Sequence, residues 1–477
     1  MAELDFEDIL TIIHMTSNMM RVIGLALIVP IIVSIIYGES MYAEIFAVMG
    51  ITLFVAFTMA RNFIGPKKVR TKHALISIAV GWFLVGAISS IPFIFHGISP
   101  IDAFFESVSG WSGTGLSMIP DPATLPHALN FWRGFIQWMG GFGIVLLALL
   151  FYERPDTAQK LFVAEGRNED FYPSLARIAR TIILIYFIYT AIGVLLFWLS
   201  GMSIFDSVIH SFTSIATGGF STNSTGLGFY GMWPMLIGIL LMTLGGISFE
   251  SHYDLFKGKV KRFFSNPEIR FFFAVVAVAS ILMAINFFMF KESRYFDGVF
   301  YIVSAITGTG NTTSLMLNTI PALSVFILIL VMIFGACYGS TTGALKLWRI
   351  LILFRVIRRE IYKAFLPQKT VLPIKIGGKY ISDDDALKAL SYMALYIALI
   401  AFGSIFFMLA GYGVVESLFT VASAQGNVGI SIIYGAPWFD MNPLFKLLLS
   451  LHMIVGRMEI IPFLVMIKGF GVGKKIQ

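Results

Sequence analysis

Charged residues are scarce in this chain: they make up 13% of its 477 residues, whereas hydrophobic residues make up 57%. A soluble globular protein carries about 25% charged residues, so the deficit excludes an ordinary water-soluble domain. Several apolar runs exceed the roughly 20 residues that an α-helix needs to cross a bilayer. The composition therefore predicts a multi-pass membrane protein that is surrounded by a lipid bilayer.

Cysteine is almost absent, and the common signatures of catalysis are missing. The only cysteine, Cys337, excludes an intrachain disulfide and a cysteine-based metal site. The seven histidines show no metal-ligand spacing, and we interpret His210 as a packing residue rather than a proton carrier. No nucleotide-binding glycine motif stands in a connector between apolar runs. We therefore predict that the chain is not an enzyme and holds no organic cofactor.

The apolar runs divide the chain into about ten predicted spans. Residues 4–18 are expected to form a short amphipathic helix at the membrane interface, within a two-helix extension at residues 1–71. Four units follow at residues 72–177, 178–268, 269–383 and 384–477. Each unit is predicted to contain an outer helix, a short helix, a glycine loop and an inner helix. The predicted fold class is an all-α polytopic membrane protein with four pseudo-repeats around one pore, plus two extra N-terminal helices.

The repeat is visible as a spacing rule. An acidic residue is followed thirteen positions later by Gly-x-Ser/Thr, at Asp102, Asp206, Asp297 and Glu416. We name the four residues that end at each glycine the Gly loops: Ser112-Gly113-Thr114-Gly115, Ala216-Thr217-Gly218-Gly219, Thr307-Gly308-Thr309-Gly310 and Gly426-Asn427-Val428-Gly429.

Glycine permits close backbone approach, and non-helical backbone at membrane depth must be buried in protein or line water. Rings of carbonyl oxygens can then replace the hydration shell of a monovalent cation. We predict that the four Gly loops form an ion selectivity filter. The acids that precede them favour the positive ends of the short-helix dipoles, so we interpret them as helix N-caps rather than ion ligands.

Basic residues gather in alternate connectors, such as the one that contains Arg61, Lys67 and Arg70. The intervening segments 201–233 and 411–442 contain no lysine or arginine. By the positive-inside rule, both termini are expected in the cytoplasm, and the Gly loops approach from outside. This distribution also argues against nucleic acid as a partner, although the formal net charge is +7.

Two features of the third and fourth units suggest gating. The third inner helix is interrupted by a small, polar run that includes Gly335, Gly339, Ser340, Thr341, Thr342 and Gly343. We interpret the run as an intramembrane loop that obstructs the pore; the alternative is a packing face between helices.

Arg457 lies in the middle of an apolar helix, where a charge is costly. Glu459 is on a different helix face, so we expect a carbonyl of the 335–344 run to pair with Arg457. Lys346 and Arg349 are expected to be residues of the membrane interface.

These motifs resemble a known family. Asp102–Ser117, Phe131–Leu147, Phe205–Thr222, Asn266–Phe273, Gly335–Arg349 and Gly456–Ile460 are similar to the TrkH-type membrane subunits of the Trk/Ktr/HKT potassium-transporter superfamily. The resemblance implies a homodimer in which each subunit has its own K⁺ pathway. It also implies regulation by a cytoplasmic, nucleotide-binding TrkA-like ring, a gating loop in the third inner helix, and a matching role for Arg457. Gly115 favours potassium, whereas the fourth loop and Asn311 depart from the family pattern.

The leading hypothesis is gated uptake of K⁺ across the cell membrane through a channel-like filter. An H⁺- or Na⁺-coupled cation symporter, or a less selective K⁺/Na⁺ pathway, is the alternative within transport. A membrane receptor or scaffold is the alternative outside it, and such a protein has no need of four filter-like loops.

Overall fold

The computed structural model describes residues 4–65, 69–143, 175–367 and 370–471. The part of the first predicted unit from residue 144 to residue 174 lies outside the described residues. The four unit boundaries therefore remain predictions.

Helices dominate the described residues, and their only sheet is an antiparallel hairpin of Ile374–Ile376 and Lys379–Ile381. Short 3-10 helices occupy Pro122–Thr124 and Gly226–Tyr230. In chain order the α-helices are Phe6–Ala26, Ile28–Ile36, Ser40–Ile64, Thr71–Ser89, Ile91–Phe95, Pro100–Ser112, His127–Phe142, Leu175–Leu199, Ile204–Ile215, Met232–Gly246, Phe249–Phe256, Val260–Ser265, Pro267–Met289, Tyr295–Ile306, Ala322–Phe334, Leu347–Lys363, Asp383–Leu409, Val414–Gln425, Ala436–Phe439, Pro443–Met458 and Ile460–Gly469. The predicted all-α polytopic fold is confirmed.

Six helices within the described ranges are long and apolar enough to cross a membrane, or eight if two bent pairs each count as one span. The bends are 101° after Met232–Gly246 and 110° after Pro443–Met458. The sequence pattern predicts about ten spans and a break only in the third unit. The additional breaks fall at residues that hydropathy alone does not mark.

The N-terminal residues do not form a separate interfacial helix, so that expectation is wrong. Phe6–Ile36 is one candidate span of 31 residues. Asp8 is buried because it pairs with Lys72 and with Nε2 of His73, which lies 2.7 Å from Oδ1. The helix Thr71–Ser89 therefore covers the polar face that the sequence pattern assigns to the membrane interface.

The four helices that precede the Gly loops are named here the short helices: Pro100–Ser112, Ile204–Ile215, Tyr295–Ile306 and Val414–Gln425. The four that follow are the inner helices: His127–Phe142, Met232–Gly246, Ala322–Phe334 and Pro443–Met458.

Three inner helices press a glycine against the end of their own short helix. A Cβ atom would lie 2.0 Å from Trp111 O at Gly140, 2.5 Å from Ile215 O at Gly245, and 2.0 Å from Gln425 O at Gly456. In the third inner helix the corresponding residue is Gly335, which ends the helix with φ +67°. Glycine is thus required where these three inner helices meet their short helices, because a side chain there would collide with the backbone from which the first, second and fourth Gly loops start.

Candidate functional site

The four Gly loops share one backbone conformation. The second residue of each loop has a left-handed φ, and so does the final glycine, at +89°, +73°, +72° and +87° in chain order. The third residue of each loop donates its amide hydrogen to a carbonyl of its own short helix, at 2.9, 2.8, 2.8 and 2.9 Å. The loops therefore leave their helices in the same way four times.

The loops also meet one another in a closed cycle. The last glycine of each loop lies against the carbonyl oxygen of the third residue of the next loop, which we name a third-position carbonyl. We measure the closeness by the distance from an added Cβ atom to that oxygen. The distance is 2.2 Å from Gly115 to Gly218 O, 2.0 Å from Gly219 to Thr309 O, 1.8 Å from Gly310 to Val428 O, and 1.9 Å from Gly429 to Thr114 O. Since the fourth loop contacts the first, the sixteen predicted filter residues come together as one ring.

Two loops have a side chain at the left-handed second position. Oγ1 of Thr217 lies 2.9 Å from Oγ1 of Thr341, in the loop 335–346. Nδ2 of Asn427 donates to Oγ1 of Thr114 at 2.9 Å and to the carbonyl of Met453 at 2.8 Å. The conformation that glycine adopts freely is therefore held in these two loops by neighbouring elements.

In every unit the residue four positions after the acid is polar. In the first three units its side chain forms hydrogen bonds with the segment that follows the Gly loop, which we call bracing. Glu106 accepts from Ser117 Oγ and from the Met118 amide, both at 3.0 Å. Nε2 of His210 lies 2.9 Å from Ser221 Oγ, and its other ring nitrogen is 2.8 Å from the Asp206 carbonyl. The hydroxyl of Tyr301 donates to the carbonyl of Leu315 at 2.9 Å. His210 is thus a packing residue, as predicted, whereas the bracing role of this position was missed; its polarity in all four units was the available signal.

Sequence reasoning also missed a buried ion pair between the first two loops. Nε of Arg133 lies 2.8 Å from Oε1 of Glu106, and the side chains are 2% and 0% exposed. Arg133 also donates to the carbonyl of Ser221 at 3.0 Å and stacks over the Phe220 ring at 4.3 Å. One side chain of the first inner helix therefore joins the first short helix to the segment that follows the second Gly loop.

The loop 335–346 contacts this ring and is buried along most of its length. The amide of Cys337 donates to the carbonyl of Gly246 at 3.1 Å, and Oγ1 of Thr341 donates to Gly245 O at 3.0 Å. A Cβ atom at Gly343 would lie 2.3 Å from Oδ1 of Asn427. Of the predicted gating residues, Thr341 therefore contacts the second Gly loop and Gly343 contacts the fourth.

Arg457 donates hydrogen bonds to three carbonyl oxygens. One belongs to Thr341, and the others belong to Gly140 at 2.5 Å and Gly141 at 2.8 Å. A carbonyl partner in the 335–344 run was predicted, and this prediction is confirmed. The three bonds join the fourth inner helix to the loop and to the first inner helix.

Lys346 and Arg349 are not residues of the membrane interface, so that expectation is wrong. Nζ of Lys346 is buried and donates to the carbonyl and, at 3.0 Å, to the hydroxyl of Thr342. Arg349 donates to both carboxylate oxygens of Glu459, at 2.7 and 2.8 Å, and lies over the Tyr392 ring. The loop folds back toward the ring, so both cations have hydrogen-bond partners inside the protein.

The four acids lie in the first turn of their short helices, but they are not the cap residues. Ser99 and Ser203 are the N-caps, and their hydroxyls donate to Asp102 and Asp206 at 2.8 and 2.7 Å. Asp102 also accepts from Nζ of Lys446 at 2.5 Å. The N-cap interpretation is therefore wrong by three residues, although carboxylates at these positions still favour the helix dipole.

The long apolar helices and the polar ring of loops at their centre define a multi-pass membrane protein with a loop-built core. The family model TrkH, described as a cation transport protein, matches residues 45–469, and the chain belongs to this family. It is a transport protein and not an enzyme.

The relatives cover nearly the whole chain. An uncharacterized cation transporter of Methanocaldococcus jannaschii is 32% identical over 96% of this chain and 95% of its own length. The Trk system potassium uptake protein TrkH of Escherichia coli K12 is 29% identical over 94% and 97%. The crystal structure of the potassium transporter TrkH from Vibrio parahaemolyticus superposes with a TM-score of 0.83 at 25% identity and covers 96% of this chain and 98% of that one.

Proposed function

We propose that the chain conducts K⁺ into the cell through the ring of Gly loops. The observation that carries the proposal is the closed cycle of glycine-to-carbonyl contacts, because such a cycle places backbone oxygens from all four loops around one centre. Potassium is named in the descriptions of the relatives from E. coli and V. parahaemolyticus. K⁺ is then the transported ion.

The loop 335–346 is the proposed gate. It touches two of the four Gly loops through Thr217 and Asn427, and Arg457 tethers it to two inner helices. A permeating ion that leaves the ring toward the cytoplasm meets this loop, so conduction requires it to move. Gly335, Gly339, Ser340, Thr341, Thr342 and Gly343 form the mobile part of the proposed gate, and Arg457 is its latch.

The cellular setting follows from charge and family. The basic connectors support a cell-membrane protein with both termini in the cytoplasm. The family resemblance supports a homodimer that is regulated by a nucleotide-binding, TrkA-like ring on the basic cytoplasmic face.

The filter assignment is tested by uptake of ⁸⁶Rb⁺ into liposomes that contain the purified chain, with K⁺ or Na⁺ as competitor. Gly219→Ala and Gly310→Ala place a Cβ atom against a third-position carbonyl, so we expect selectivity for K⁺ to fall. Gly201→Ala is the matched control, because Gly201 has φ +98° and no atom within 4 Å. If both ring variants keep the wild-type ion preference, the ring is not the filter.

A coupled symporter is the alternative within transport. Among the described residues, the carboxylate of Glu106 lies beside the ring and is 0% exposed, but it is already ion-paired with Arg133. A proton carrier must change its charge, which this pairing opposes. Reversal potentials measured at fixed K⁺ and varied ΔpH separate the two: a shift with ΔpH would favour the symporter.

A further inference from the structure

The first inner helix holds the second Gly loop with a buried carboxamide. Gln137 is fully buried. Its Nε2 donates to the carbonyl oxygen of Gly218 at 2.6 Å, and its Oε1 accepts from the amide of Phe220 at 3.0 Å. A carboxamide can donate and accept at the same time, so this one side chain fixes the backbone on both sides of Gly219.

This makes the four third-position carbonyls unequal. The oxygen of Gly218 stands in the same relation to the next glycine as the oxygens of Thr114, Thr309 and Val428 do. In the part of the chain that the structure describes, those three oxygens have no hydrogen-bond donor, whereas Gly218 O has one at 2.6 Å. The third-position carbonyl of the second loop is therefore restrained by a hydrogen bond that the other three lack.

The other inner helices place methionine where the first has glutamine. Counting three residues back from Gly140, Gly245, Gly335 and Gly456 gives Gln137, Met242, Met332 and Met453. The Met242 sulfur lies 3.7 Å from Nδ2 of Asn311. Asn311 is the residue after Gly310, and Phe220 is the residue after Gly219. Met242 therefore lies against the third loop at the position where Gln137 lies against the second.

We propose that Gln137 is a specificity-determining residue of the ring, and that it disfavours Na⁺. A smaller cation needs oxygens that move closer to it, and the carboxamide hydrogen bond holds Gly218 O back. The partial positive charge of the amide hydrogens also weakens the field of that oxygen, and weak fields favour the larger, more weakly hydrated ion. This inference rests on the proposed function of the ring as a filter.

The test compares the Na⁺-to-K⁺ permeability ratio of variants in liposomes, measured from bi-ionic potentials alongside ⁸⁶Rb⁺ uptake. Gln137→Met copies the other three inner helices and removes the donor. Gln137→Glu keeps the size of the side chain and the acceptor for the Phe220 amide, and its ionised carboxylate has no donor. We expect both to raise the Na⁺-to-K⁺ permeability ratio several-fold while ⁸⁶Rb⁺ uptake persists. Gly201→Ala, which lies outside the ring and has no atom within 4 Å of an added Cβ, should leave the ratio unchanged.

The outcomes separate this inference from the proposed function. If Gly219→Ala changes the ratio but neither Gln137 variant does, the inference is overturned and the filter stands. A fall in the flux of both ions at constant ratio would also overturn it, because that is the signature of mere structural damage. If the Gly219→Ala and Gly310→Ala variants keep the wild-type preference, both the filter and the role of Gln137 are overturned.

Discussion

Arg457 of the fourth inner helix donates a hydrogen bond to the carbonyl oxygen of Thr341 in the loop 335–346. The same guanidinium group reaches the carbonyls of Gly140 and Gly141. A planar guanidinium with five donors can span acceptors from two elements in this way, whereas the single ammonium of lysine is a compact point charge. The loop is therefore tied to two helices by one side chain.

Removal of this tether should increase basal ion flux. A hydrogen bond to a charged group contributes about 1.5–3 kcal/mol, so the loss of even one shifts a closed-to-open equilibrium by about tenfold or more. We expect Arg457→Ala to raise ⁸⁶Rb⁺ uptake into liposomes, and Arg457→Lys to restore closure only in part. Lower uptake by Arg457→Ala at normal protein yield would contradict a gate at the loop.

The single cysteine reports directly on loop movement. Cys337 is 1% exposed and its amide is bonded to Gly246 O, so the wild-type protein should react slowly with a membrane-permeant thiol reagent. We expect Arg457→Ala to accelerate labelling, because the released loop exposes the thiol. Cys337→Ser supplies the background, since no other cysteine is present. Equal labelling rates in both proteins would argue that the loop does not move when its tether is lost.

Serine at Gly115 should weaken the exclusion of Na⁺. Gly115 has φ +89°, and a Cβ atom there would lie 2.2 Å from Gly218 O, so the two loops must separate. We expect the K⁺-to-Na⁺ permeability ratio of Gly115→Ser to fall several-fold. Gly97→Ser is the control, because Gly97 has φ +94° but no atom within 4 Å. An unchanged ratio in Gly115→Ser would count against the filter assignment.

Breaking the Glu106–Arg133 pair should destabilise the protein more than replacing it. Arg133→Met leaves a fully buried carboxylate without its cation, and breaking such a pair costs about 3–5 kcal/mol. We expect thermal unfolding in detergent to occur at lower temperature for Arg133→Met. The double variant Glu106→Gln/Arg133→Met should recover much of that loss, because no uncompensated charge remains. A double variant no more stable than the single one would show that Arg133 acts mainly through Ser221 and Phe220.

Sequence reasoning identified the Gly loops because their composition is unusual for a membrane span. It also anticipated a carbonyl partner for Arg457, since a charge among apolar residues must find a polar group. Its interpretation of Lys346 and Arg349 as interface residues failed, because hydropathy shows only how far along the chain a residue lies from an apolar run. Whether the intervening residues fold back is decided by contacts such as Cys337 to Gly246. The bracing role of Glu106 and His210 was missed for the same reason, since their hydrogen-bond partners lie in the segments that follow the Gly loops.

The sequence by itself determined that the chain is a multi-pass membrane protein with four related loops of small residues, because hydropathy and glycine spacing are local properties. Only the tertiary structure decided that the loops close into one ring, that all but the third inner helix press glycine against a short helix, and that Gln137 grips a single corner of the ring. These are contacts between residues far apart in the chain. Their distances depend on how whole helices pack, and no local pattern carries that information.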